Sequence, residues 1–427
     1  MVALGIKNSN TQEPPVPSQG GDVAHSKLDV LIVAHFSGDF DQRGNNRINY
    51  IADMLKDHFT VELVTSDFSH YSKVKRTAAN THAPGYKVSY IAEPPYHENV
   101  SLKRFYSHYV MGRNFKKYLL NRKKPDVIYC TVPPLEAAYN LMRYAEKNKI
   151  RFILDVRDIW PEAFKMVFKV PILSDLVFYP LTQKANAIYK GADALVAVSQ
   201  TYVDRAVAAN GKCKDGHCIF LGTELKGFDR FVAKDKKDKP EGELWLAYIG
   251  TLSHSYDLTT VIDALAILKE KGIHNIKFVV MGDGLLAQRF ERYAKEKNVF
   301  CNFTGKLAYA DMVRLLSICD IAVNPIRRGS AGSIINKVGD YAAAGLPVLN
   351  TQECPEYRDL VDRYHMGLNC ENDNAEDLAD KLLLLYNDEK LRTILGNNNR
   401  KLAEEKFDRA RTYPLIVDII ATHSNRR

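Results

Sequence analysis

In the stretch IAVNPIRRGSAGSIINKVGDYAAAGLPVLN, Asn336, Lys337 and Asp340 stand between a glycine-rich loop and a Gly-x-Pro stop. The apolar run from Ile321 to Pro325 reads as a buried strand. The turn from Arg327 to Ser333 opens a helix, and Gly345 with Pro347 ends it before Val348 and Leu349 resume a strand. That is one winding unit of a parallel α/β sheet, and ligands of such sheets lie beyond the carboxyl ends of the strands. Free amides at the helix start attract phosphate, and Gly329 and Gly332 let a ligand approach the backbone. Spacing of three and four residues sets Asp340 on roughly the same helical side as Lys337 and Asn336. A cation for phosphate and a carboxylate for sugar hydroxyls would then face one pocket. The competing reading is a surface helix carrying an ordinary Lys and Asp pair.

A chain of 427 residues is too long for one ordinary core, so two domains of similar size are expected. The hydrophobic content of 46% and charged content of 26% are those of a soluble globular enzyme. Lys and Arg exceed Asp and Glu by 59 to 51, a formal charge of +8. This mild excess suits anionic membranes, nucleic acid or anionic substrates without choosing among them. Seven scattered cysteines do not form a secreted disulfide framework and point to reduced thiols in a cytoplasm. Cys213, His217 and Cys218 lie close in sequence, but no second ligand pair at zinc spacing accompanies them, so no metal site is expected. The first 26 residues are polar and rich in Pro, Gly and Ser, lack the apolar region of a signal peptide, and read as a disordered tail. No run approaches the ~18 apolar residues needed to cross a bilayer, so any membrane contact must be peripheral.

From Leu28 the chain alternates apolar strands with polar loops and helices: LDVLIVAHF, the loop SGDFDQRGNN, the helix RINYIADMLKDHF, the strand VELVTS. Later runs at Val127 to Cys130, Phe152 to Val156 and Ala194 to Val198 continue a doubly wound sheet over residues 27–225. A charged passage over 226–242 reads as a solvated connector. The pattern restarts with LWLAYIG, IKFVVMGDG, CDIAVNPI and PVLN, giving a second Rossmann-like sheet over 243–396. A helical tail over 397–427 is expected to pack back on the first domain. Two such tandem domains leave a cleft between their carboxyl ends, suited to a nucleotide-bearing donor and an acceptor. Neither domain shows a full Gly-x-Gly-x-x-Gly fingerprint, which weakens a dinucleotide dehydrogenase reading; MGDG, with Gly282, is only a glycine turn after a strand.

The segment Asn336, Lys337, Asp340, Tyr341, Ala342, Gly345, Pro347 and Val348 resembles the signature of retaining glycosyltransferases of family 4. PDVIYCTVPPLEAA, FILDVRDIWPE, IYKGADALVAVSQ, WLAYIGTLS and FVVMGDG follow the family's order, so the resemblance runs from about Leu28 to Asp418. It implies an α/β protein of the GT-B type, two tandem doubly wound domains facing across a cleft. It also implies transfer from a nucleotide sugar, UDP-linked by frequency in the family, with retained anomeric configuration and with neither a divalent metal nor another cofactor. RDIWPE is similar to a stretch common in enzymes of bacterial exopolysaccharide, capsule or lipopolysaccharide synthesis. The implied partners are the nucleotide sugar and a glycan or lipid-diphosphate-linked acceptor, with no nucleic acid. The implied place is the cytoplasm, with the inner face of the cell membrane as an option.

The departing diphosphate calls for cations and oriented amides in a water-poor cleft. Lys337 is the first candidate, with the amides of the loop Gly329 to Ser333 and with Arg327 or Arg328, which could equally be solvated loop charges. Asp340 would accept hydrogen bonds from ribose, although the family usually has Glu there. Gly250 and Thr251, after the first strand of the second domain, and Gly282 join the donor site by resemblance. Two departures shift the load onto Lys337 and the arginines Arg327 and Arg328: Gly332 stands where the family often carries a Glu, and GTLSHSYDL replaces a segment that elsewhere holds an Arg and a Lys. In the first domain, Gly44 and Asn45 occupy the place where the family brings backbone close to the transferred sugar, while an ordinary turn and helix cap with Asn46 is the competing reading. Asp155, Arg157, Asp158 and Glu162 are expected at the cleft. Asp158 would orient or deprotonate the acceptor hydroxyl, or else form a structural ion pair with Arg157.

The stretch from Leu102 to Pro125 mixes Lys and Arg with Phe and Tyr at helical spacing, and FKMVFKVPILSDLVFYPL adds aromatics. That composition suits a helix lying on an anionic membrane, or equally a core-packing helix with a solvated basic face. Besides the transferase, two readings stay open: a GT-B scaffold that holds a nucleotide sugar without turnover, and an epimerase or phosphorylase of similar architecture.

Overall fold

The computed structural model describes residues 27–38, 46–70, 72–76, 85–98, 101–165, 171–213, 216–234, 239–330 and 333–422. Seven parallel strands make the first sheet: β1 (Asp29–Val33), β2 (Thr60–Ser66), β3 (Lys87–Ile91), β4 (Val127–Val132), β5 (Arg151–Val156), β6 (Ala194–Ala197) and β7 (His217–Cys218), in the order β3-β2-β1-β4-β5-β6-β7. Six more make the second: β8 (Leu244–Ile249), β9 (Ile276–Met281), β10 (Cys301–Gly305), β11 (Ile321–Asn324), β12 (Val348–Asn350) and β13 (Gly367–Asn369), in the order β10-β9-β8-β11-β12-β13. Both are doubly wound Rossmann-like sheets, the GT-B arrangement expected from the sequence.

The central strands are near-continuous apolar runs because helices cover both faces. In β1, Leu31 and Val33 enter one core while Val30 and Ile32 enter the core on the opposite face. In β8, Trp245, Ala247 and Ile249 face one side and Leu244, Leu246 and Tyr248 the other. Register is consistent across each sheet: Val30 lies opposite Val61 and Val127, and Ala322 opposite Val348 and Ala247. Residues just beyond β5 and β6 (Arg157, Asp158, Val198) and just beyond β8 and β11 (Gly250, Thr251, Ser330, Ser333) line one cavity, so these carboxyl ends face each other across the cleft.

Domain boundaries differ from the sequence expectation in two places. Residues 225–233 are a helix (Leu225–Ala233) whose Leu225 and Phe228 are buried in the second domain's core, so this stretch is not wholly a solvated connector. Its charges occupy the outer face of an amphipathic helix. The return to the first domain comes later than residue 397, because Leu402, Ala403 and Phe407 still pack in the second domain. Tyr413, Ile416, Ile419 and Ile420 then join the first domain's core beside Val30 and Ile48.

One buried arginine fixes the segments that cross between the domains, and two further contacts join the domains directly. Arg47, fully buried, donates from Nε and Nη2 to the two oxygens of Asp155 at 3.1 and 3.2 Å, and from Nη1 to Ile219 O, Phe220 O and Tyr413 Oη at 2.9 to 3.1 Å. One guanidinium thereby fastens the sheet, the exit from the first domain and the returning tail. Thr223 Oγ1 donates to Asp340 Oδ1 at 2.8 Å. Glu356 of the second domain accepts from Gln200 N, Thr201 N and Thr201 Oγ1 at 2.8, 3.1 and 2.9 Å, a carboxylate placed at the amino end of the helix Gln200–Asn210, where the helix field favours it.

Candidate active site

Between the domains lies a cavity of about 510 Å³, with Arg157, Asp158 and Tyr202 on one wall and Gly250, Thr251, Tyr256, Ser333, Asn336 and Lys337 on the other. Lys337 begins the helix Lys337–Ala343 and is 7% exposed. Among the described residues, no hydrogen-bond acceptor lies within reach of its Nζ. Instead Nζ sits 3.8 Å from the ring centres of both Tyr248 and Tyr256. Burial holds the amine well below the ordinary lysine range, and no neighbouring carboxylate offsets this. Two aromatic faces favour the ammonium by roughly 1–2 kcal/mol each, less than the several kcal/mol that desolvation of an unpaired ion costs. An arriving diphosphate would supply the missing counter-charge.

The surrounding backbone is shaped to leave this amine open. Gly250 has φ +129°, and a Cβ there would meet Lys337 Nζ at 2.9 Å. Behind it, a Cβ on Gly282 would lie 1.8 Å from the carbonyl oxygen of Gly250, so the loops after β8 and β9 touch backbone to backbone. A row of buried amides fixes the loop before Lys337: Asn324 Nδ2 donates to Asn350 Oδ1 at 2.9 Å and to Gln352 Oε1 at 3.2 Å, and Gln352 Nε2 donates to Ser333 O at 2.7 Å. Tyr248, Tyr256 and Gln352 were not singled out in the sequence. A tyrosine at the end of an apolar strand and a second one in the following loop were the available signal.

On the first-domain wall, Asp158 is held by three donors. Its Oδ1 accepts from Ile159 N at 2.9 Å and Tyr202 Oη at 3.2 Å, and its Oδ2 from Trp160 Nε1 at 3.3 Å. Burial raises its pKa in spite of these bonds. The anticipated Arg157–Asp158 ion pair is not formed, because the neutral donors occupy the carboxylate; Arg157 lines the cavity without an ion pair among the described residues. The cavity thus carries one basic side chain from each domain with no acidic partner among the described residues.

Other sequence candidates lie elsewhere. Asp340 Oδ1 accepts from Thr223 Oγ1 and from Tyr309 Oη, both at 2.8 Å, and Asp340 does not line the cavity. The helix starts only at Lys337, so Asp340 sits a turn deeper, where the interdomain strand at Thr223 passes. Arg327 lies 3.7 Å from Asp257 and Arg328 3.1 Å from Glu353, both on exposed loop positions away from the cavity wall. Asp155 is fully buried under Arg47, and Glu162 pairs with Arg205 at 2.6 Å, so neither faces the cavity. Gly44, Asn45 and Gly332 lie outside the described residues, while Asn46 caps the helix Arg47–Leu55 through bonds from Ile48 N and Asn49 N.

Comparison with known proteins follows the same division of the chain. Residues 229–402 match the family model described as "Glycosyl transferases group 1". The chain is 22% identical over 303 residues, 68% of its length and 74% of the relative's, to the capsular polysaccharide biosynthesis glycosyltransferase CapM of Staphylococcus aureus. It is 27% identical over 169 residues, 39% of its length and 45% of the relative's, to the GalNAc-alpha-(1->4)-GalNAc-alpha-(1->3)-diNAcBac-PP-undecaprenol alpha-1,4-N-acetyl-D-galactosaminyltransferase of Campylobacter jejuni. Against its leading curated relatives the match spans only about half of their length, 56% and 42%. The crystal structure of Anabaena HepE in complex with UDP and glucose superposes with a TM-score of 0.68 at 15% identity, covering 92% of this chain and all of that one.

Proposed function

We propose that this protein is a retaining glycosyltransferase that moves a sugar from a nucleotide sugar, UDP-linked in the first instance, to a glycan or lipid-diphosphate-linked acceptor of a bacterial surface polysaccharide. The observation that carries the reading is the Lys337 amine, buried and without an acceptor among the described residues, on a side chain that lines the cavity between the domains. In the proposed reaction, the sugar–phosphate bond breaks and Lys337, with Arg157 opposite, takes the developing charge of the diphosphate, so the scheme routes that charge to side chains rather than to a divalent ion. Retention lets the departing phosphate oxygen accept the acceptor's proton on the same face. Asp158, fixed by Tyr202 and Trp160, would orient that hydroxyl. HepE was crystallised with UDP and glucose, and the C. jejuni relative's name describes a lipid-diphosphate-linked acceptor.

A lipid-linked acceptor also agrees with the surface of the first domain. On the helix Leu102–Asn121, the exposed Leu102, Phe105, Tyr106 and Tyr109 lie among exposed Lys103, Arg113, Lys116 and Lys117. Phe164 contacts both Phe105 and Phe178 at 6.0 Å between ring centres, linking this face to exposed Leu176, Val177 and Tyr179. Apolar side chains rimmed by cations suit an anionic bilayer surface at the cytoplasmic side. No described helix is long and apolar enough to cross a membrane.

The test is mass spectrometry of products formed from a panel of nucleotide sugars with membrane lipid extract. A sugar-extended lipid or glycan with release of nucleoside diphosphate supports the reading. Tight nucleotide-sugar binding without release would instead favour the scaffold, and products formed without acceptor would favour an epimerase.

A further inference from the structure

A second cluster lies in the first domain, at the carboxyl ends of β1 and β3. His35, Glu93 and His108 are 3%, 2% and 4% exposed, and one ligand-type atom from each lies within 4.8 Å of the others. His35 Nε2 is 2.8 Å from Glu93 Oε2. Both Glu93 oxygens are oriented by hydroxyls: Ser107 Oγ donates to Oε1 at 2.6 Å and Ser66 Oγ donates to Oε2. Two imidazole nitrogens, His35 Nδ1 and His108 Nε2, are buried without a partner among the described residues. A buried His and Glu pair alone accounts for neither of these orphans, and orphaned buried nitrogens in one cluster commonly mark an ion or water.

We propose that His35, Glu93 and His108 form a binding site for a divalent transition-metal ion, with Zn²⁺ the best match. Two imidazoles and one carboxylate are a known zinc donor set, with bonds of ~2.0–2.2 Å that leave a fourth position for water. At such bond lengths the 2.8 Å between His35 Nε2 and Glu93 Oε2 subtends roughly 80–90°, so this pair would open and His108 would draw closer to complete the shell. In the metal-bound form His35 Nε2 is the ligand and the unpartnered Nδ1 carries the ring's proton. The hydroxyls of Ser66 and Ser107 supply the outer contacts that keep a metal-bound carboxylate in place. Arg104, whose guanidinium lies 4.9 Å from the Trp160 ring, adds positive charge nearby and limits the affinity.

The location gives the ion a role. It would tie β1, β3 and the helix Leu102–Asn121 together, and that helix also carries the exposed basic and aromatic face. His108 stacks on Trp160 at 6.0 Å, and Trp160 in turn holds Asp158. Metal loading would therefore stiffen the acceptor side of the cleft without touching the donor side at Lys337.

The experiment is elemental analysis of the purified full chain, followed by Zn²⁺ titration of chelator-stripped protein by calorimetry and by thermal unfolding. Optical spectra of the Co²⁺-substituted protein complete it. The expected result is about one Zn²⁺ per chain, a raised melting temperature, and a Co²⁺ spectrum with imidazole and carboxylate bands but no thiolate charge-transfer band. Glu93→Gln and His108→Asn should abolish binding, and Ser107→Ala should weaken it by ~10–100-fold. Cys218→Ser should bind normally. Should His108→Asn not fold, Ser107→Ala and the Co²⁺ spectrum still decide the matter. Absence of metal binding by the unaltered chain, undiminished binding by Glu93→Gln, or a thiolate band would overturn the proposal. None of these readouts depends on glycosyl transfer.

Discussion

Two buried basic side chains divide the molecule. Arg47, in the first domain, directs its donors to a carboxylate, two carbonyls and a phenol, and it joins segments up to 366 residues apart in sequence. Lys337, in the second, is buried as deeply yet meets only two aromatic faces. The first arrangement is complete without any ligand and serves the architecture. The second leaves an amine with no acceptor among the described residues, beside the cavity that Lys337 helps to line. Burial alone therefore does not separate a structural ion from a binding group; the balance of donors and acceptors does.

The largest expected effect concerns the complete site. Arg47→Ala or Asp155→Ala leaves one buried charge uncompensated and should lower unfolding free energy by ~3–5 kcal/mol, measured by denaturant unfolding. A loss below ~1 kcal/mol would mean that the pair does not hold the returning tail. Lys337→Met should do the opposite: donor turnover falls by ~10²–10³-fold, while the unfolding free energy does not drop, because a buried amine without an acceptor has been replaced by an apolar side chain of similar length. If Lys337→Met instead destabilised the fold as Arg47→Ala does, the contrast between the two basic side chains would vanish. Gly250→Ala is a milder probe, placing a Cβ against Lys337 Nζ in a backbone conformation that side chains disfavour. Nucleotide affinity should fall by about tenfold, ~1.4 kcal/mol, in a binding titration.

The smallest effects are in pH. Burial alone would raise the Glu62 carboxyl, yet hydrogen bonds from Ser89, Tyr118, Lys87 and Arg122 lower it to about 2. Its stabilising contribution is present above the ordinary carboxylate range and is lost as pH falls from about 4.5 toward 2. His70 is lowered to about 3, by burial first and then by Lys73 and Arg104. It stays neutral in the fold while the unfolded chain takes up a proton, so stability declines as pH drops from 6.5 toward 3. Each group contributes a slope of at most ~1.4 kcal/mol per pH unit. His70→Asn should flatten the slope between pH 4 and 6, and an unchanged profile would remove His70 from the account.

The sheets were legible in the sequence because strands covered on both faces are apolar throughout, as in LDVLIVAHF and LWLAYIG. The winding unit from Ile321 to Leu349 was legible too, and with it Lys337. What stayed hidden depends on segments distant in sequence. Asp340 shares a helical side with Lys337 by spacing, but spacing cannot show that Thr223 and Tyr309 reach it first. Asp155 follows a strand toward the cleft, yet its partner lies 108 residues earlier. The Tyr248 and Tyr256 pair is invisible to periodicity, since each tyrosine alone reads as ordinary packing. The resemblance supplied the cleft, and the contacts decided which side chains face it.

Whether Lys337 grips a diphosphate is read by calorimetric titration of UDP into the unaltered protein and into Lys337→Met, in two buffers of different ionisation enthalpy. Burial disfavours the charged amine and an arriving diphosphate favours it, so proton exchange at Lys337 on UDP binding runs in the direction of uptake. Lys337→Met should lose that uptake together with about 100-fold in affinity, ~2.7 kcal/mol. Equal affinity and equal proton exchange in the two proteins would contradict the account.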